Sequence, residues 1–234
     1  MCKYNENAND LDKRWEMGRC YKSFCHDGVV NRDPGGYFDS NVRILFLLKE
    51  SYGGFSQIRG GNFSSRGGGD YSPKSRLFWK MLGFWTYAIT EYAQKKCPQI
   101  ETFEAMHRDG GYALVNVAYV NVKKTLGQSK SNWGEIEQYA RDDYEYIDAQ
   151  IALCRPNVIV TCGLTKSNSM YRIYNDVLCG GTLPNSPLNG MALDEQRECL
   201  VVSSLHPSCP AGATEAKKKE ALLALEENIH MLHG

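Results

Sequence analysis

Three side chains of this 234-residue chain combine reactive chemistry with a telling position: Glu50, Asn121 and His206 each follow or close a run of aliphatic residues. A carboxylate can hold a water or a positive charge, and an imidazole can donate to an oxygen that gains negative charge. An amide offers both an acceptor and donors on one edge. Each residue also has an ordinary role, as a loop carboxylate, an Asn closing a strand-end turn, or a satisfied strand-end histidine. Their joint position at three strand ends favours a shared pocket.

The elements that must position them follow from hydrophobic patterning. Residues 42–48 form an almost continuous aliphatic run, the pattern of a parallel strand covered on both faces. Similar runs predict strands within 112–122 and over 158–161 and 200–204. Helices are predicted over 9–25, over 73–96 with Leu77, Met81, Trp85 and Ile89 four apart, over 133–154, after Gly163, and from near Thr214 to the end. Strands alternating with amphipathic helices predict one α/β domain over residues 1–234, a three-layer α/β/α arrangement around a central four-stranded parallel sheet. Ligands of such sheets bind at the carboxyl ends of the strands, where the three residues fall. The Gly-, Ser- and Asn-rich stretch 51–71 starts at one of these ends and reads equally as a functional loop or a low-complexity linker.

Composition narrows the classes. Lys plus Arg and Asp plus Glu are 27 each, so a general attraction to nucleic acid is absent and only local basic patches, at Lys123–Lys124 and at 217–219, remain. Nine scattered cysteines without an export signal read as reduced thiols, and no ligand spacing for a metal is found. The polar N-terminus and the shortness of every apolar run predict a cytoplasmic protein with no membrane segment. There is no internal repeat, no GKS or GKT phosphate loop and no GxGxxG after a strand, so no nucleotide cofactor is expected.

Three segments, in order and each at a strand end, resemble motifs of the uracil-DNA glycosylase superfamily. ILFLLKESYGG is similar to the GEAPG motif with Glu50 at its acidic position, AYVNVKKT to TNVVK with Asn121 at its Asn, and VVSSLHPS to HPS with His206, Pro207 and Ser208 matching. RPNVIVTCGLTK also resembles the family's strand-to-helix segment, with Gly163 in the turn. The resemblance covers residues 44–208. Lys49, Ser51 and Tyr52 stand where this branch has Gly, Ala and Pro, and Thr125 stands where an iron–sulfur cysteine would follow the motif lysine. The expectation is therefore the uracil-DNA glycosylase-like fold without the cluster and with no cofactor.

The resemblance implies a DNA glycosylase that flips uracil or a related damaged base out of single- or double-stranded DNA and hydrolyses its N-glycosidic bond. It implies that Glu50 orients water or stabilises the cationic sugar, that His206 donates to the departing base, and that Asn121 reads the base edge. Tyr52, Phe55, Phe63 and Tyr71 are candidates to stack on the base, and Lys123, Lys124, Ser208 and Gly212 to meet DNA phosphates. A monomer is expected. The alternatives are a non-catalytic nucleic-acid or nucleotide-binding module on the same fold, and a hydrolase of another small substrate.

Overall fold

Runs of Val, Ile and Leu become strands here because both of their faces are covered, so every side chain in the run is buried whichever way it points. The computed structural model describes residues 3–21, 23–31, 33–51, 57–61, 63–66, 73–127, 131–163, 169–184 and 190–232. Its elements in chain order are α1 (Lys3–Arg19), β1 (Gly28–Val29), α2 (Gly35–Phe38), β2 (Ile44–Ser51), α3 (Pro73–Ala93), α4 (Ile100–Asp109) and β3 (Val117–Leu126). There follow α5 (Trp133–Asp142), α6 (Tyr144–Cys154), β4 (Val158–Cys162), α7 (Met170–Ile173), β5 (Met191–Asp194), β6 (Cys199–Ser204) and α8 (Glu215–Asn228).

The strands form one six-stranded sheet in the order β1-β3-β2-β4-β6-β5. The inner pairings β3–β2, β2–β4 and β4–β6 are parallel, while β1 and β5 add antiparallel edges. The sheet is thus larger than the four strands expected. Its edge strands escape the pattern because one is only two residues long and the other, Met-Ala-Leu-Asp, has little aliphatic content. Alternation along β2 divides the core. Ile44, Phe46 and Leu48 join Leu82, Trp85 and Leu225 on one face, and Leu45 and Leu47 join Trp15, Ile136 and Ile147 on the other. Helices α3 and α8 therefore cover one face, and α1, α5 and α6 the other.

Local chemistry explains where helices depart from expectation. The helix predicted over 133–154 is two helices, broken at Asp143. That buried carboxylate holds Arg19 Nε at 2.5 Å and accepts the Tyr21 hydroxyl at 2.6 Å, tying the break to the end of α1. α1 begins six residues earlier than predicted, at Lys3 rather than residue 9, and ends at Cys20, whose φ of 53° cannot continue a helix. α4 is an addition anchored by only two buried residues, Ile100 and Phe103. α8 starts where predicted: Thr214 is its N-cap and accepts from Lys217 N. Among the described residues no helix is long and apolar enough to cross a membrane.

At the β1 edge, the buried Asp27 carboxylate accepts from Lys124 Nζ at 2.5 Å and from Gln150 Nε2 at 2.8 Å. Lys124 also donates to Gln150 Oε1 at 2.7 Å and stands 4.9 Å from the centre of the Trp15 ring. One ion pair therefore joins the edge, β3, α6 and α1. Removing one partner leaves a charge buried alone, which costs roughly 3–5 kcal/mol, whereas replacing both by apolar groups costs much less. Lys124→Met is expected to lose on the order of 3 kcal/mol of stability in urea unfolding, and Asp27→Asn combined with Lys124→Met to recover part of it. Additive losses in the double variant would show that the two charges do not depend on each other.

Candidate functional site

The carboxyl ends of β2 and β6 carry two of the three residues expected to form the site. Glu50 is the last regular residue of β2 before a register shift, and it pairs across the sheet with Lys123 of β3; Asn121 pairs with Leu48 one step earlier on the same face. His206 lies two residues beyond β6. Glu50 and His206 thus stand at the carboxyl ends of β2 and β6, with β4 between these strands, whereas β3 runs on to Leu126, so Asn121 lies inside its strand and not at the end where it was expected.

Glu50 is not the exposed loop carboxylate that sequence alone allows. Its side chain is only 5% exposed, Oε2 lies 3.1 Å from Lys123 Nζ, and Oε1 is buried without a hydrogen-bond partner among the described residues. Gly127 closes over it, because a Cβ there would lie 2.4 Å from Glu50 Cγ and 2.8 Å from the Ser51 carbonyl oxygen. The position tolerates only glycine. Gly127 N donates to that carbonyl at 2.6 Å, fastening the end of β3 to the shifted end of β2.

Asn121 is completely buried. Its Nδ2 donates to Asp27 Oδ2 at 3.0 Å, and its Oδ1 has no donor among the described groups. Unpaired buried acceptors are uncommon and destabilising, so Glu50 Oε1 and Asn121 Oδ1 mark this end of the sheet as chemically incomplete.

His206 accepts from Ser208 N on Nδ1 at 3.2 Å, which places its own proton on Nε2. Burial, reinforced by the positive charge of Lys49, pulls the imidazole from its ordinary 6.5 down to about 4. The ring is a neutral donor at physiological pH. Lys49 rests 5.1 Å from the centre of the Trp133 ring, and burial lowers its own pKa while the Glu50 charge opposes that shift. Gly163 beside it is glycine for its backbone, at φ 136°, and not for space, since a Cβ there would meet Lys49 Cδ at 3.8 Å and Trp133 at 3.4 Å, both ordinary contacts.

The phosphate candidates are placed differently from expectation. Lys124 has no exposed side chain and is held by Asp27, and Lys123 is 6% exposed between Glu50 and Glu135, so neither ammonium is offered at the surface. The sequence shows two adjacent lysines but not that the strand buries both. The Ser208 amide serves His206 rather than an outside anion. Gly212 lies in the short 3-10 turn Pro210–Ala213 ahead of α8.

Of the stacking candidates, Tyr52, Phe55 and Tyr71 lie outside the described residues. Phe63 is committed to packing: its ring stacks on Trp79 at 4.4 Å and occupies the space beside Gly61. The aromatic that the sequence reading missed is Phe78 on α3, whose ring centre is 6.1 Å from that of His206 and 5.7 Å from that of Tyr119. Its ring also meets that of Trp79 edge-on at 5.3 Å, and its place off the Leu77–Met81–Trp85 stripe is why the helical pattern does not single it out. Asp27 was also missed, since an acid ahead of a two-residue strand carries no periodic signal.

No three His, Cys, Asp or Glu residues converge as metal ligands among the described residues. Burial pushes the thiols of Cys25, Cys154, Cys179 and Cys199 up to about 12, so they stay protonated at neutral pH. Comparison with protein-family models finds no family that matches the chain, and comparison with curated proteins finds no match.

The His206 environment has a measurable signature. In the unfolded chain the ring takes up a proton near pH 6.5, but in the folded chain only near 4, so stability is full above 6.5 and falls as pH drops between these values. An NMR titration is expected to show the His206 midpoint near 4 and its rise in Lys49→Met, with the share due to burial remaining. A midpoint near 6.5 in the wild type would mean that the ring is solvated and not poised as a neutral donor.

Proposed function

We propose that the strand-end region around Glu50, Asn121 and His206 binds an extruded nucleobase and that the protein is a DNA glycosylase, hydrolysing the N-glycosidic bond of uracil or a related base. The motif resemblance to uracil-DNA glycosylases suggests the reaction, and the observation that carries the reading is the neutral His206 with its proton on Nε2. When a glycosidic bond breaks, the sugar becomes cationic and the base anionic. A neutral N–H beside the base oxygen stabilises that developing charge without surrendering a proton first. Glu50 brings a carboxylate for the sugar or for the attacking water, and its unpaired Oε1 is the atom available for either. Asn121 contributes an acceptor for a ring N–H. Phe78 takes the stacking role that the described residues support best.

A second reading is a nucleic-acid or nucleotide-binding module that does no chemistry. It is favoured by the Glu50–Lys123 ion pair, which engages one carboxylate oxygen at 3.1 Å from an ammonium, and by the inward position of both motif lysines. Under either reading DNA is the expected macromolecular ligand and the protein acts as a monomer.

The experiment that separates them is single-turnover incubation with uracil-containing oligonucleotides, followed by cleavage at abasic sites. Loss of an oxyanion-type donor costs about 3 kcal/mol, so His206→Ala is expected to slow excision roughly a hundredfold while leaving DNA affinity unchanged. The rate should not fall between pH 7 and 5 through His206, because its imidazole is already neutral there. An undiminished rate in folded His206→Ala removes the residue from the mechanism. DNA binding with no release of any base by the wild type gives the binding-module reading the field.

A further inference from the structure

The hydrogen bonds of Asn121 are one-sided. Nδ2 donates to Asp27 Oδ2 at 3.0 Å and lies 3.7 Å from Cys25 Sγ, a weak acceptor. The same Asp27 oxygen accepts the backbone N–H of Asn121 at 2.8 Å, so main chain and side chain grip one carboxylate together. Turning the amide over would set Oδ1 against that oxygen, two acceptors at hydrogen-bonding distance in a buried place. Asp27 cannot swing aside, because its other oxygen holds Lys124 and Gln150. The result is an amide with its donors occupied and a single buried acceptor, Oδ1, left without a partner.

We infer that Asp27 is a positioning residue that makes Asn121 an acceptor-only reader, so the site selects nucleobases by an N–H and does not read the carbonyl beside it. The inference rests on the base-pocket reading and narrows it. An amide that accepts and donates at once rewards the N3–H and O4 of uracil and repels the amino group of cytosine, which would meet a second donor. With both donors turned to Asp27 and Cys25, that reward and that repulsion are lost together. The imino hydrogen of uracil and the amino hydrogens of cytosine can each satisfy Oδ1. The substrate class is therefore bases that carry an imino or amino hydrogen on the reading edge. Discrimination among them passes to how well each base leaves, where His206 acts, rather than to Asn121.

The deciding probe is 4-thiouracil, which keeps N3–H but replaces the O4 acceptor by a weakly accepting sulfur. Base release from oligonucleotides carrying deoxyuridine or 4-thiodeoxyuridine is measured with the full chain, and side-chain amide NMR of Asn121 follows addition of each free base. The expected result is release of the two bases at rates within about threefold, because no donor to position 4 is lost. The Asp27→Leu, Lys124→Met double variant removes the acceptor that holds the amide without stranding a charge and frees the Asn121 amide to turn. In it the thio substrate is expected to fall behind by roughly tenfold or more, a change in selectivity that a merely structural role for Asp27 would not produce. If that variant does not fold, the wild-type pair of substrates decides alone. A tenfold or larger penalty for 4-thiouracil in the wild type overturns the inference while leaving the glycosylase reading in place. If no base is released, equal shifts of the Asn121 resonance with uracil and 4-thiouracil still support acceptor-only reading, and no shift with either overturns it together with the base pocket.

Discussion

Asp27 sits just ahead of the two-residue edge strand β1, and its carboxylate gathers four donors: Lys124 Nζ, Gln150 Nε2, and the backbone and side-chain N–H groups of Asn121. An ion buried this deeply is tolerated only when its lone pairs are nearly all engaged, since stripping a carboxylate of water is far more expensive than a single ion pair repays. That requirement couples distant parts of the chain. Lys124 must come from β3, Gln150 from α6, and Trp15 of α1 must lie against the lysine stem. The edge of the sheet, two helices on one face and the orientation of a site residue therefore depend on one carboxylate.

The parallel strands set the remaining geometry. Side-chain direction alternates along β3, so Asn121 and Lys123 share the face of Tyr119 while Lys124 shares that of Val120 and Val122. Two adjacent lysines thereby acquire different partners, Lys123 closing on Glu50 and Glu135 and Lys124 on Asp27. The register shift after Glu50 ends the regular pairing of β2 with β3, and Gly127 packs against the carboxylate from the far side. Irregular backbone at this end of the sheet thus re-aims a side chain that a regular strand would have continued past.

The sequence made the inner strands legible because buried parallel strands are aliphatic at every position, as in 44–48, 158–160 and 200–202. It also marked Glu50, Asn121 and His206 as polar groups interrupting or following such runs, but it ended β3 too early, because the buried Lys123 and Lys124 do not look like strand residues. It could not show β1 or β5, whose short spans have no pattern of their own, nor the break at Asp143, which depends on Arg19 and Tyr21 from elsewhere in the chain. The lysine pair shows the deeper limit. Charge is visible in sequence, but whether a charge faces solvent or another buried charge is decided by a partner more than ninety residues away, as Asp27 is for Lys124.

Lys49 completes the electrostatics of the strand end. It occupies the position where the resembled motif has glycine, and a flexible cation there changes the balance of charge around the neighbouring groups. Among the described residues it has no ion-pair partner, in contrast to Lys123 and Lys124. Its charge reaches His206, where it opposes protonation, and it feels Glu50, which favours its own charged form. Glu50 and Glu135 share Lys123, and Asp27 pairs with Lys124, so the charge of Lys49 offsets the carboxylate left over at this end of the sheet. Lys49 thus acts locally: it adds to burial in keeping the His206 imidazole neutral, and it disfavours a second positive charge beside that ring.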